Sequence, residues 1–354
     1  MSKRIAVIGG GISGLTTAFL LKQKGLDVTL FEASPEVGGN IRSEAKDGYL
    51  LEHGPNSLLR SPRIVDLIDA LGLRGEVLPT SAAAKKRFVL IGGELKAMPG
   101  GFASFLFGGY FSIGTKLRLL REPFVSSRSA ASESVAEFFE RRLGSEIVRK
   151  AADPFISGIF AGDPEKLSIA HAFPLLYEYE RDHGSLIRGA LRNKNEKVNP
   201  DFPRSFTFKN GLRTLPETLQ ARLAESVQVN TAVEKIERAD AGFGLSTGGA
   251  SDIFAAVVIS TRADAAAQIL SEFDPHLAAK LRDVYYPPIT VVRSGYAHSA
   301  VKRLTEGFGF LVPRTENRKI LGSLWTSSVF PDRAPDGMCL FTSFFCGARS
   351  PQLC

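Results

Sequence analysis

Cysteine is scarce in this chain. Only Cys339, Cys346 and Cys354 are present, all near the C-terminus. They form no CxxC pair, which excludes a disulfide-stapled scaffold and a cysteine-ligated metal site; reduced thiols in a cytosolic compartment are the expectation. No uninterrupted apolar stretch is long enough to cross a bilayer. Internal repeats and low-complexity blocks are also missing. The basic start runs straight into an apolar run and the glycine motif, so a first strand rather than a signal peptide is expected there. Acidic charge is in deficit, with 37 acidic against 44 basic residues and a net charge of +7. That excess suits an acidic substrate or an anionic membrane surface. No nucleic-acid motif or interleaved basic–aromatic strand accompanies it, so no nucleic-acid partner is expected. No side-chain general base stands out, and neither does a serine–histidine or paired-carboxylate constellation.

What is present is ordinary globular material with one marked motif. The 354 residues are 44% hydrophobic and 23% charged, enough for two or three domains. Ile5–Ile8 is a short apolar strand, and Gly9-Gly10-Gly11-Ile12-Ser13-Gly14 follows it. A helix is predicted over Ser13–Lys24, then a second apolar run ending at Glu32. This is a dinucleotide fingerprint. Gly9 makes the tight turn, Gly11 lets the backbone approach a pyrophosphate, and Gly14 lets the helix pack on the sheet with its positive end toward the phosphates. Glu32, followed by Ala33, can accept from adenosine ribose hydroxyls, and no arginine follows to suit a 2′-phosphate. A second glycine pair, Gly38-Gly39, then leads into Asn40, Ile41 and Arg42. A nicotinamide dehydrogenase has no need of it, whereas an extended FAD does. Arg42 is either a phosphate contact or a solvated loop arginine. Gly54-Pro55-Asn56-Ser57 is a turn of small residues suited to lie beside a flavin, and His53 before it reads as a structural histidine near the cofactor.

The rest divides by texture. Ser61-Pro62 caps a helix stopped by Gly72. Arg87–Ile91, Gly92-Gly93 and Glu94–Met98 read as a hairpin. Residues 99–200 turn helical, with a capped helix over Ser132–Leu143. Leu212–Ala224 reads as a helix, Val227–Asn230, Val233–Arg238 and Ala255–Ser260 as strands, and Asp264–Leu270 as a helix. This suggests a return to the cofactor domain, with Val233 near the adenine. Ile289–Ala297, Gly309–Val312, Lys319–Trp325 and Met338–Phe344 read as strands of a second, mixed sheet. The expected fold class is α/β: a Rossmann-like FAD-binding domain, a mixed-sheet substrate domain and an inserted helical domain. The expected segments are 1–85 and 205–272 for FAD, 86–98 and 273–354 for substrate, and 99–204 for the helical insert.

Several segments are more specific than the glycine fingerprint. They are Arg87-Phe88-Val89, Ser157-Gly158-Ile159-Phe160-Ala161-Gly162-Asp163-Pro164 with Lys166-Leu167-Ser168, Gly307-Phe308-Gly309-Phe310-Leu311-Val312-Pro313, and Phe330-Pro331-Asp332-Arg333-Ala334-Pro335. With them the chain resembles the protoporphyrinogen oxidase family of FAD- and oxygen-dependent enzymes of haem synthesis, with coproporphyrinogen oxidase as its sister group. The resemblance implies oxidation of a porphyrinogen through FAD, with oxygen as acceptor and hydrogen peroxide released. It implies that Arg87 holds a propionate, that Leu311, Leu324 and Phe344 sandwich pyrrole rings, and that the Gly158 carbonyl lies near the reacting bridge. It does not separate proto- from coproporphyrinogen.

The family attaches to one membrane leaflet through a helical domain, and Phe102, Phe105, Leu106, Phe107, Tyr110 and Phe111 lie at that place, followed by Lys116, Arg118 and Arg121. They fit an interfacial contact, or else pack inside the helical domain. A cytoplasmic protein, peripheral on the cytoplasmic face of the membrane, is expected, and a homodimer is compatible. Family members continue for roughly another hundred residues that close over the flavin, so the chain as written is expected to lack that half of the FAD site. Alternatives kept open are a different FAD oxidase, such as an amine oxidase or desaturase, and an inactive FAD-binding remnant.

Overall fold

Every residue of Ile5–Ile8 is apolar, as a strand covered on both faces requires. In the computed structural model this strand lies inside a parallel four-stranded sheet, paired with Val28–Phe31 on one side and Ala256–Ile259 on the other. Val227–Gln228 adds the outer strand beyond Val28–Phe31. The structure describes residues 4–125, 129–130, 132–192, 201–301 and 306–354. They form two compact units: Met1–Pro79 with Phe202–Tyr286, and Thr80–Asp201 with Pro287–Cys354.

In the first unit the helix Ile12–Gln23 follows the central strand and buries Leu15, Ala18 and Phe19. Its core continues through the helix Pro62–Leu71, with the predicted Ser61 cap and Gly72 stop in place. Segment 273–286 was expected with the substrate domain. It packs in this unit instead, because the helix Pro275–Arg282 buries Ala278 in one cluster with Ala267, Ile269 and Leu270. The hairpin Ser43–Lys46/Tyr49–Glu52 and the strands Gly242–Thr247 and Ala250–Phe254 escaped the sequence reading; the last two form an antiparallel trio with Lys235–Ala239, where a strand was expected over Val233–Arg238.

The second unit is built on a six-stranded mixed sheet. Its strand order is Ile289–Ala297, Met338–Cys346, Ile320–Leu324, Gly309–Leu311, Arg87–Ile91 and Glu94–Ala97. The predicted hairpin is thus joined to the C-terminal strands through the parallel pairing of Arg87–Val89 with Gly309–Leu311. The described residues between 99 and 192 form short helices. The predicted helix over Ser132–Leu143 starts at Val135, because Ser134 is the cap and exchanges hydrogen bonds with Glu137.

Inside the helices lies a charge network that no single stretch of sequence displays. Arg142, fully buried, donates to Glu180 Oε1 (2.5 Å) and Glu122 Oε1 (3.1 Å). Ser185 Oγ and the Leu186 and Ile187 amides also donate to Glu122. Burial pushes the Glu180 carboxyl up, but hydrogen bonds from Arg141, Ser129 and Arg142 outweigh it and hold it down at about 2, from an ordinary 4.5. A carboxylate depressed in the folded state stabilises the fold above its unfolded pKa and loses that contribution as pH falls toward the folded value. Acidification from pH 4.5 toward 2 is therefore expected to remove on the order of 3 kcal/mol through this group. Glu180→Gln should lower stability at neutral pH, by roughly 3–5 kcal/mol for a broken buried pair, and flatten the acid limb. Denaturant titrations across that range check both; an unchanged acid limb contradicts the assignment.

One cysteine expectation is corrected. Cys346 and Cys354 are joined by a disulfide with a Cα separation of 6.0 Å, while Cys339 is free and buried. The turn at Pro351–Leu353 brings Cys354 back beside Thr290, the cross-strand neighbour of Phe345. An eight-residue separation carried no spacing signal for this pairing.

Candidate functional site

The glycine turn is fixed by its own strand and helix. Gly9 has φ +104, and a Cβ there would sit 3.0 Å from the Ser260 carbonyl. A Cβ on Gly14 would collide with the Gly9 carbonyl oxygen, so the helix packs on the turn as the motif requires. Gly11 is different. Its φ of −69° and ψ of 175° suit any residue, and a Cβ there would meet nothing within 4 Å. The protein does not need glycine at 11; the open space beside it does.

That space has the chemistry of a dinucleotide site. The helix starting at Ile12 has Gly11 as its cap, no side-chain cap and no acidic residue in its first turn, so its leading amides face outward unneutralised. Glu32, at the end of the second strand, accepts from the Gly10 amide (2.6 Å) and, with its other oxygen, from the Ser34 amide (2.8 Å). Each oxygen keeps a lone pair for a ribose hydroxyl. The second glycine pair adjoins the first: the Gly38 amide donates to Gly10 O (2.8 Å), and Gly11 and Gly38 form a parallel bridge. Gly39 places its α-carbon next to Gly11, since a Cβ there would be 3.4 Å from Gly11 Cα. Ser13, Ala33, Asn40 and Arg42 are exposed around this opening, and Ile12 is half-buried. The Arg42 side chain has no hydrogen-bond or ion-pair partner among the described residues. These groups fit FAD: Gly11 and the Ile12–Gly14 amides would hold the pyrophosphate, and Glu32 the ribose.

The remaining predicted cofactor residues are more mixed. Gly54 is required by the protein itself, because a Cβ would strike the Asn40 carbonyl. Pro55 is exposed and Ser57 half-buried. Asn56 donates weakly to Gly54 O (3.5 Å), while its Oδ1 is buried without a partner among the described residues. His53 is exposed and lies 2.9 Å from Glu44, so its ring pairs with a carboxylate at the surface of the hairpin rather than packing inside. Val233 is only 8% exposed and belongs to a core cluster with Ile8, Phe31 and Phe254. Its side chain is therefore core, although its loop runs beside Glu32 through the Thr231 amide bond to Glu32 O (2.8 Å).

In the second unit, cross-strand register decides which predicted substrate residues meet. Gly309 is opposite Arg87 on one side and Leu324 on the other, and Leu324 is opposite Thr342. The next row is Val89, Leu311, Gly322 and Phe344. Directly paired residues point to the same face, and so do alternate residues along a strand. Arg87, Leu311, Leu324 and Phe344 therefore share one face of the sheet. Neither row contains a carboxylate or a histidine. Arg87 is exposed at the end of its row, with its guanidinium over the Phe308 ring at 5.1 Å. Leu311 and Phe344 are half-buried and Leu324 is buried. Gly158, in the helix Asp153–Ile159, lies on this face as well: a Cβ there would strike the Leu311 methyl group. Sequence reasoning missed what holds that helix. Asp153, buried at its start, accepts from the Arg314 amide (2.7 Å) and Nε (2.8 Å).

The aromatic segment is split between two fates. Tyr110 and Phe111 are buried with Val89 and Ile147, and Phe105 stacks on Phe111 at 4.9 Å. Phe102 and Phe107 are exposed, Phe107 to 85%. The helix Ile113–Arg121 adds an exposed stripe the sequence reading did not single out: Ile113, Leu117 and Leu120, continued by Phe124 at 80% exposure. No helix of the described residues is long and apolar enough to cross a membrane, and no cluster of metal-ligating side chains occurs among them.

Residues 12–353 match the family model described as flavin containing amine oxidoreductase. Protoporphyrinogen oxidase 2, chloroplastic/mitochondrial, of Arabidopsis thaliana is 33% identical over 388 residues, covering 99% of this chain and 76% of that protein. Coproporphyrinogen III oxidase of Bacillus subtilis (strain 168) is also 33% identical, over 365 residues, covering 97% and 77%. A crystal structure from Exiguobacterium sp. 255-15, assigned as a protoporphyrinogen oxidase, superimposes with a TM-score of 0.79 at 23% identity, covering all of this chain and 79% of that one. The chain belongs to the flavin-containing amine oxidoreductases, in the group that includes the protoporphyrinogen and coproporphyrinogen III oxidases, and is an FAD-dependent oxidoreductase.

Proposed function

We propose that this protein oxidises a porphyrinogen to the porphyrin in haem synthesis. The observation that carries this reading is the shared sheet face with Arg87 at its edge and Leu311, Leu324 and Phe344 across it. A tetrapyrrole has the matching shape: a broad apolar ring system with anionic propionates at its rim. Apolar walls take the ring and a guanidinium takes a carboxylate in two parallel hydrogen bonds. A cation at this edge does not suit an ammonium substrate, which sets the amine-oxidase reading second.

Bound FAD supplies the electron acceptor for hydride removal from the bridging carbons. The chain's own part is to hold and orient. With no carboxylate or histidine in the two rows, the side chains there are not placed to take a proton, and positioning of the bridge carbon carries the rate. Gly158, having no side chain, leaves its carbonyl and the Leu311 methyl as the local wall. Oxygen is proposed as the final acceptor, leaving as hydrogen peroxide. Porphyrin fluorescence growing in with protoporphyrinogen or coproporphyrinogen, with one peroxide per two electrons, tests this; a dark reaction with both overturns it.

The same reading includes a peripheral membrane contact through Phe102, Phe107, Ile113, Leu117, Leu120 and Phe124, flanked by the exposed Arg121. Apolar side chains in the acyl boundary with cations at the headgroups make such a contact salt-sensitive. The protein is expected to float with anionic liposomes at low salt and less so at high salt. Phe107→Ser with Phe124→Ser should weaken binding by about tenfold or more. Recovery of the parent wholly in the soluble fraction contradicts the contact.

A further inference from the structure

We infer that Arg349 is a positioning residue for porphyrinogen oxidation, fixing the gap between Gly158 and Leu311 by tying Ser157 to Val312. The inference rests on the functional reading above. Arg349 Nη2 donates both to Ser157 Oγ (2.8 Å) and to the Val312 carbonyl (2.7 Å). Ser157 precedes Gly158 in the helix, and Val312 follows Leu311 after the strand. One nitrogen therefore spans the two backbone segments that form the wall, directly beside the point where the Leu311 methyl fills the space over Gly158.

The tie completes a two-point clamp. Arg314 holds the start of the helix through Asp153 and reaches on to Asp163 Oδ1 (2.8 Å). Arg349 holds it one turn on, at Ser157, and lies 3.9 Å from Asp153 Oδ2. The loop carrying Arg349 is itself anchored, because the Ala348 amide donates to Ala161 O (2.7 Å). The side chain is only 13% exposed, and its Nε and Nη1 are buried without a hydrogen-bond partner among the described residues. The contribution of this guanidinium to the protein is thus concentrated in the bridge through Nη2. A lysine has no planar fork and cannot reproduce that bridge from the same depth.

The test compares Arg349→Lys and Ser157→Ala with the parent, each loaded with FAD. The readouts are kcat per bound flavin, KM for the porphyrinogen, flavin content and Tm. A misplaced wall is expected to lower kcat per flavin by about tenfold or more while KM stays within roughly twofold. Flavin content should not change, and millimolar guanidinium should partly restore Arg349→Ala. A fall in Tm with kcat per flavin unchanged in both variants overturns the inference and leaves Arg349 as packing. A parent that forms no porphyrin overturns the functional reading, and the inference with it.

Discussion

Replacing Gly11 with leucine is expected to leave the fold intact and strip the protein of FAD. The backbone at 11 is extended, with φ −69° and ψ 175°, which a leucine adopts without strain. Beyond its chain neighbours no atom lies within 4 Å of its Cβ position, so a side chain leaves the backbone there without conflict. Leucine is a poorer helix cap than glycine, at a cost of up to about 1 kcal/mol. Reduced freedom of the unfolded chain offsets this by roughly 0.4–1 kcal/mol. The pyrophosphate has no such latitude, because the added side chain stands where phosphate oxygens must approach the Ile12–Gly14 amides. Affinity for FAD should fall on the order of a hundredfold, about 2.7 kcal/mol. Gly14→Leu makes the contrasting control: its side chain meets the Gly9 carbonyl, so the turn itself should fail. Equal flavin content in the parent and in Gly11→Leu, each with unchanged Tm, removes the cofactor from this turn.

Arg87→Ala is expected to raise KM for either porphyrinogen by roughly tenfold to a hundredfold, the range of a charge-assisted hydrogen bond to a carboxylate. The backbone pairing of Arg87 with Gly309 survives the substitution. The contact with the Phe308 ring is worth about 0.5–1 kcal/mol at an exposed site, so folding should change little. Flavin content should be unaffected, because the glycine turn lies in the other compact unit. Arg87→Lys keeps the charge without the planar fork and should fall between. Steady-state kinetics with both tetrapyrroles check this; an unchanged KM in Arg87→Ala takes the residue out of the substrate site. The signature differs from that expected of Arg349, where kcat rather than KM moves.

The order in which these residues could be found in the sequence follows from how local their signals are. The glycine turn is local: strand, turn, helix and acid lie within thirty residues, and each position has its own steric or electrostatic reason. Strand Ile289–Ala297 was legible to both ends, whereas the strand at Met338 runs two residues past Phe344, to Cys346. The hairpin at Ser43–Glu52 was not legible, since Tyr49-Leu50-Leu51-Glu52 lacks a clean alternation. The three buried members of the charge network were invisible for a different reason. Glu122, Arg142 and Glu180 are separated by 20 and 38 residues, and a charge in sequence does not announce a partner at that distance. The substrate face shows both limits at once. Arg87, Leu311, Leu324 and Phe344 came from a family resemblance, and only the register of four strands places them on one face. Val233 went the other way, because proximity to a predicted site said nothing about whether its side chain turned toward the ligand or the core.

The most direct test is anaerobic mixing of the FAD-loaded protein with a porphyrinogen while the visible flavin band is followed. The band is expected to bleach with protoporphyrinogen or coproporphyrinogen, to recover on admission of oxygen, and to leave a fluorescent porphyrin behind. A band that stays oxidised with both tetrapyrroles but bleaches with an amine contradicts the account.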